Sequence, residues 1–215
     1  MFNKKSNKLV QFLKREKKAS EYNQKITFGI MLAAGIAALI AAFTLTLEKF
    51  HLYENPNAVL SCSINVVLNC STVMETWQSH VFGFPNMVIG LMAFAVVITV
   101  AVLGLAKISF PRWFLIAANI GFLLGAIFSY WLFFQSVYAI QVLCPWCLIV
   151  TTATTLIFST MTHHNLRENT FNLKSKVNAK VQKFLANGYH QMIVLSWLAL
   201  MVVLVVLKFG DALFA

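Results

Sequence analysis

Five stretches of this chain are apolar over enough residues to cross a hydrocarbon core of about 30 Å, which takes roughly 20 helical residues. They run near Ile26 to Leu47, Pro85 to Leu105, Trp113 to Phe134, Cys144 to Met161 and Gln191 to Phe209. The fourth is interrupted only by threonines and serine, whose hydroxyls return to the backbone carbonyl a turn earlier and so are tolerated in lipid. The pattern predicts an all-α integral membrane protein with five spans. The first apolar run, about 22 residues, exceeds the 7 to 15 of a cleaved signal. It is read as a retained helix, although Ala33 to Ala42 offers A-x-A-like sites.

Between the spans the pattern changes twice. In the loop 48–84, Val73, Met74, Trp77 and Val81 recur at helical spacing, with Glu75, Gln78 and His80 elsewhere on the wheel. This predicts a short amphipathic helix lying over the mouth of the membrane helices, with Trp77 as an interfacial anchor. Between spans 4 and 5, Phe171, Leu173, Val177, Val181, Phe184 and Leu185 alternate with lysines, which predicts an amphipathic helix on the inner leaflet. The expected organisation is a basic segment over 1–25, a four-span unit over 26–162, a basic linker over 163–190, and span 5 with its tail over 191–215.

Composition agrees with the pattern. Hydrophobic residues make up 59% of the chain and charged residues 11%, with a mean hydropathy of +0.74, which excludes a soluble globular domain. The formal charge of +10 reports topology. Lysine and arginine concentrate ahead of span 1 (Lys4 to Lys25), between spans 2 and 3 (Lys107, Arg112) and between spans 4 and 5 (Arg167 to Lys183), leaving Lys49 and Lys208 as exceptions. Short cytoplasmic loops retain positive charge, so the amino terminus is expected inside and the carboxyl terminus outside a cell membrane. The basic residues flank membrane spans and are not interleaved with aromatics, which points to anionic lipid and away from nucleic acid.

That orientation puts all four cysteines on the outer face or just within it. They fall as two pairs, Cys62 with Cys70 and Cys144 with Cys147, the second in the run Cys-Pro-Trp-Cys. In an oxidising compartment Cys62 and Cys70 fit a structural disulfide as well as a catalytic one. A C-x-x-C ring is too small to brace a fold, which favours redox chemistry for the second pair. Structural zinc sites usually space their first cysteines more tightly than Cys62 and Cys70, so no metal is expected. Pro145 suits the first turn of a helix and places Cys144 at the cap of span 4, where free N–H groups and the helix dipole favour a thiolate. Cys147 lies about 4.5 Å deeper by helix geometry, within reach of a lipid-soluble acceptor, while Cys144 is expected to stay open to water. A straight helix from Cys62 to Cys70 would part their Cα atoms by about 12 Å, so the segment must bend to form a disulfide. Asn55, Pro56, Asn57, Asn65 and Asn69 are turn formers suited to that bend.

Taken together, three features carry a family resemblance: the Cys-x7-Cys of the loop, the run Phe82-Gly83-Phe84-Pro85-Asn86 with Gly90, and the C-x-x-C opening span 4. The stretch from Ile26 to Met161 resembles the vitamin K epoxide reductase family, in the bacterial form that lacks a fused thioredoxin domain. The resemblance implies a four-helix transmembrane bundle enclosing a quinone, with span 5 added and the outer loop as a lid. It implies that Cys62 accepts electrons from a partner thiol, that Cys70 then attacks Cys144, and that Cys147 reduces the quinone, menaquinone or ubiquinone. It also implies that Asn86 contacts a quinone oxygen; an N-terminal cap on span 2 is the alternative use of that residue. Thr151 stands where the vertebrate enzyme has a tyrosine, which weighs against epoxide reduction and leaves quinone reduction. DsbB-like quinone reductases couple two cysteine pairs in the reverse order along the chain.

The function expected is a membrane thiol:quinone oxidoreductase that reoxidises a separate extracytoplasmic thioredoxin-fold, DsbA-like protein and so supports disulfide formation. The alternative is a non-catalytic membrane protein, a transporter subunit or assembly factor, whose cysteines brace its outer face. Gly121 and Gly125 are expected to permit close helix packing in span 3. His51, His80, His163 and His164 receive no role.

Overall fold

The five apolar stretches all form helices in the computed structural model, which describes residues 2–55 and 59–214, with side chains over 21–55 and 59–210. Pro56 and Asn57 lie outside the described residues. The helices are α1 (Phe2–Glu54), α2 (Cys70–Glu75), α3 (Asn86–Leu105), α4 (Arg112–Phe134), α5 (Pro145–Arg167), α6 (Ser175–Ala186) and α7 (Tyr189–Phe214). Among the described residues, five helices are long and apolar enough to cross a membrane: Glu21–Glu54, Asn86–Leu105, Arg112–Ile140, Pro145–Arg167 and Tyr189–Gly210. The protein is thus an all-α, multi-pass membrane protein.

α1 is the hub of a bundle formed with α3, α4 and α5: it packs on α3 and α5, and α4 packs on α5, while α3 and α4 scarcely touch. Close approach to α1 is possible because its buried face is built largely from Ala34, Ala38, Ala41 and Ala42, with Phe28 and Met31 below them. Small side chains let helix backbones come together in lipid, where dispersion contacts replace the hydrophobic drive. Gly104 of α3 receives the Phe28 ring so tightly that a Cβ there would lie 2.4 Å from it. Gly121 and Gly125 behave otherwise. Added Cβ atoms would meet nothing within 4 Å at either position, so the expected close packing through this motif does not occur.

α7 lies against α5 and α6. Trp197 Nε1 donates to Tyr130 Oη of α4 at 2.7 Å, and His190 Nε2 pairs with Ser159 Oγ of α5 at 2.9 Å. The linker forms its expected helix, although it starts at Ser175 and so excludes Phe171 and Leu173. The chain before it is held elsewhere: Arg112 Nε donates to Thr170 O at 2.6 Å, and Asn169 Oδ1 accepts from Leu173 N at 2.9 Å.

Three differences from the sequence pattern occur at the end of the bundle that carries the loop. α1 runs on to Glu54, past the apolar limit at Leu47, because Glu48, Lys49, Leu52 and Glu54 remain good helix formers once outside lipid. The link after α4 continues as a π-helical segment, Gln135–Ile140, closed by Gln141 in the left-handed region at φ 59°. The predicted amphipathic helix is broken at Thr76, which leaves α2 and a 3-10 turn, Trp77–His80. Thr76 adopts an extended conformation (φ −73°, ψ 152°), and its own Oγ1 donates to Val73 O at 2.7 Å, where a continuing helix would have placed an amide.

Candidate active site

The loop folds down because its asparagines build turns. Asn65 Oδ1 accepts from the amides of Val67 and Leu68 at 3.0 and 2.7 Å, closing a turn between the two loop cysteines. Asn69 is the N-cap of α2: its Oδ1 accepts from Thr72 N at 3.3 Å, Ser71 Oγ at 2.7 Å and Ser63 Oγ at 3.0 Å. These turns bring the Cα atoms of Cys62 and Cys70 to 5.7 Å, and the two cysteines form a disulfide. The bend that the spacing required is present.

Main-chain pairing sets the loop against the start of α5. Leu143 N donates to Val67 O at 2.7 Å and Asn69 N donates to Leu143 O at 3.0 Å, forming a single parallel bridge between Leu68 and Leu143. Because Asn69 precedes Cys70 and Leu143 precedes Cys144, the bridge aligns the two sulfurs. Cys70 Sγ lies 3.3 Å from Cys144 Sγ. Cys70 carries no proton in its disulfide, so any hydrogen bond between them is donated by Cys144.

Cys144 is the N-cap of α5, with Pro145 in the first turn as the sequence implied. Its Sγ accepts from Cys147 N at 3.4 Å, and amides directed at a sulfur in this way favour the thiolate. Cys144 and Cys147 are both free thiols. Cys144 is buried, which corrects the expectation that it stays open to water. The lid covers it: Cys62, Cys70, Leu60 and Met74 pack with Leu45 and Leu52 of α1 in one small apolar cluster around the sulfur. Cys62 is 4% exposed, so a protein thiol reaches it only when this cluster opens. Among the described residues no three histidine, cysteine, aspartate or glutamate side chains group so as to hold a metal ion.

Polar contacts clamp the lid to α1. Glu48 Oε1 accepts from the amide and hydroxyl of Ser61, and Lys49 Nζ donates to Met74 O at 3.0 Å. Lys49, an exception in the charge pattern, thereby supplies a cation to the carbonyl end of α2, where a positive charge is favoured.

Below the sulfurs a cavity of about 210 Å³ lies within the bundle, bordered by Cys144 and Cys147. Its wall is mainly apolar, including Leu45, Phe94, Phe128, Leu132 and Phe133, with Gly125 at one side where α3 and α4 stand apart. Polar groups enter at two levels. Near the lid are Gln78, Ser79 and Asn86; beneath Cys147, Ser129 Oγ donates to Thr151 Oγ1 at 3.0 Å, and Thr151 Oγ1 donates to Cys147 O at 2.9 Å. Asn86 is the first residue of α3 and does not cap it; the capping position is Pro85. Its side chain reaches back to the lid, Oδ1 accepting from Val81 N at 3.2 Å and Nδ2 donating to Gln78 O at 2.6 Å.

The structure therefore brings Cys62, Cys70, Cys144 and Cys147 together above one cavity that Asn86 also borders. Neither the Leu68–Leu143 bridge nor the inward position of Gln78 leaves a periodic signal in the chain. No match is found among curated proteins. The family model described as Vitamin K epoxide reductase family matches residues 29–162, from α1 into the last turns of α5 and across all four cysteines; the chain belongs to that family, whose members are membrane oxidoreductases acting on disulfides.

Proposed function

We propose that this protein is a membrane thiol:quinone oxidoreductase that reoxidises an extracytoplasmic, thioredoxin-fold partner of the DsbA type. The reading rests above all on the 3.3 Å approach of Cys70 Sγ to Cys144 Sγ at the roof of an apolar cavity. A partner thiolate attacks Cys62, and the partner's second thiol resolves the mixed disulfide, leaving Cys62 and Cys70 reduced. The Cys70 thiolate then attacks Cys144 of a Cys144–Cys147 disulfide, and Cys147 leaves as thiolate. Cys62 attacks Cys70 in turn, which restores the loop disulfide and frees Cys144. The Cys144–Cys147 dithiol then returns to a disulfide by giving two electrons and two protons to the quinone, which becomes hydroquinone. A bonded loop pair above a reduced helix pair fits the stage just before quinone reduction.

Asn86 keeps one N–H and one lone pair free after its contacts with the lid, enough to meet a ring oxygen of the quinone, menaquinone or ubiquinone. The charge distribution supports a cytoplasmic amino terminus, with the carboxyl terminus and the cysteines outside. Serine replacements test the relay in protein reconstituted into lipid. Serine at Cys144 or Cys147 should abolish quinone reduction. Serine at Cys62 should spare turnover with a small dithiol while blocking the protein partner. Equal loss at all four positions, or at none, would refute the relay.

A further inference from the structure

One buried polar side chain in the cavity has an unfilled hydrogen-bonding position. Gln78 belongs to the Trp77–His80 turn, is 8% exposed, and lines the cavity. Its Oε1 has no hydrogen-bond partner among the described residues. Its Nε2 reaches Gln135 Oε1 at 3.4 Å, at the long end of the hydrogen-bond range, which leaves that group weakly held as well. A buried amide oxygen without a partner costs free energy that a ligand can recover. Asn86 stands beside it and fixes the turn from which it projects, through the 2.6 Å bond from Asn86 Nδ2 to the Gln78 carbonyl.

We propose that the Gln78 carboxamide is a second polar anchor for the quinone ring, projecting from the lid, with Asn86 as the residue that positions it. The proposal rests on the thiol:quinone reading above. The chemistry of an amide suits a substrate whose oxygens change character. A quinone carbonyl only accepts hydrogen bonds, whereas a hydroquinone hydroxyl also donates. Gln78 can meet the first with Nε2 and the second with Oε1 by turning its amide, and it stays neutral in both cases. Gln135, also an amide, can turn with it and keep the bond between the two. A carboxylate at this place would offer an acceptor only.

The test uses the full-length protein in lipid nanodiscs with an excess of small dithiol and a varied soluble 1,4-naphthoquinone. Gln78→Leu removes the amide but keeps an apolar side chain of similar reach. Its KM for the quinone should rise about 3- to 10-fold, the loss of one neutral hydrogen bond. Its KM for the dithiol should move by less than about twofold, since that substrate meets the loop pair Cys62 and Cys70, which does not border the cavity. Gln78→Glu adds an independent readout. Its quinone KM should be high at neutral pH and fall on acidification, as the carboxyl regains an O–H donor, while the Leu variant follows the wild-type profile. An unchanged quinone KM in both variants overturns the proposal, as does a parallel rise in the KM values of both substrates. If the wild-type protein reduces no quinone, the oxidoreductase reading falls and this proposal falls with it; a working wild type with indifferent variants sinks only the role of Gln78.

Discussion

Replacing Asn69 by alanine should slow the internal sulfur exchange without disturbing the membrane bundle. Asn69 Oδ1 is the common acceptor for Thr72 N, Ser71 Oγ and Ser63 Oγ, so one atom caps α2 and ties that helix to the Cys62 side of the loop. Loss of an N-cap costs about 0.5–2 kcal/mol. Loss of the tie to Ser63 adds about 0.5–1.5 kcal/mol, because that hydroxyl is only partly buried and regains water. A combined loss of about 1–3.5 kcal/mol, taken from the closed lid alone, reduces the ratio of closed to open lid by roughly 5- to 400-fold. In a lid that opens for each partner, exchange between Cys70 and Cys144 slows by up to that factor. The assay follows reduction of the Cys144–Cys147 disulfide after addition of a reduced thioredoxin-fold protein, by rapid quenching with a thiol alkylator and a mass shift. Asn69→Ser keeps the cap and should stay within about threefold of wild type, since serine and asparagine cap comparably. Wild-type exchange in Asn69→Ala would show that the lid geometry does not limit sulfur transfer, and the reasoning from cap to rate would be wrong.

Other consequences follow from the packing. Gly104→Ala places a Cβ against the Phe28 ring at 2.4 Å, and the overpacking should destabilise the protein by about 1–3 kcal/mol, read as a lower thermal midpoint in detergent. Gly125 borders the cavity with open space at its Cβ, so Gly125→Ala should fold normally, whereas Gly125→Phe should fill the cavity and raise the quinone KM without lowering that midpoint. An unaltered quinone KM in Gly125→Phe would mean that the substrate does not use this cavity.

The sequence revealed the parts of this structure that lipid or local chemistry dictates. Length and apolarity locate all five spans because a backbone in hydrocarbon must satisfy its own hydrogen bonds. Pro145 locates Cys144 at the start of α5 because proline fits the first turn and no later one. What stayed hidden depends on choices that leave no period in the chain. A one-residue bridge between Leu68 and Leu143 has no alternation to detect. The glycines of α4 show that a close approach is possible there, not that a helix makes it; here Gly125 borders the cavity and Gly121 is exposed. A continuous helical wheel puts Gln78 away from the apolar positions Val73, Met74, Trp77 and Val81. The break at Thr76 resets the register, so that Trp77 faces outward at 60% exposure and meets Trp131, while Gln78 turns in.

The same break explains why the lid can be both tight and reversible. One uninterrupted helix from Cys70 to Val81 would have buried its apolar stripe as a unit, and opening it would have exposed that whole stripe to water. Two short pieces instead divide the attachment. α2 is held by the Lys49 contact, and the loop leading into it by the Glu48 contacts to Ser61 and the Leu68–Leu143 bridge, all of which water can replace at modest cost. The Trp77–His80 turn is held from the bundle side by Asn86. In the proposed relay, disulfide exchange with an external protein requires Cys62 to emerge from a cluster where it is 4% exposed, and exchange with Cys144 requires Cys70 to return to within 3.3 Å of a buried sulfur. A lid fastened by hydrogen bonds and one small apolar cluster meets both demands, because the hydrogen bonds set the closed geometry closely at little net cost to release, and the apolar side chains that release uncovers are few: Leu60, Cys62, Cys70 and Met74. The turn that carries Gln78 can then stay docked on the cavity while α2 moves, keeping the cavity roofed while the loop cysteines meet a partner.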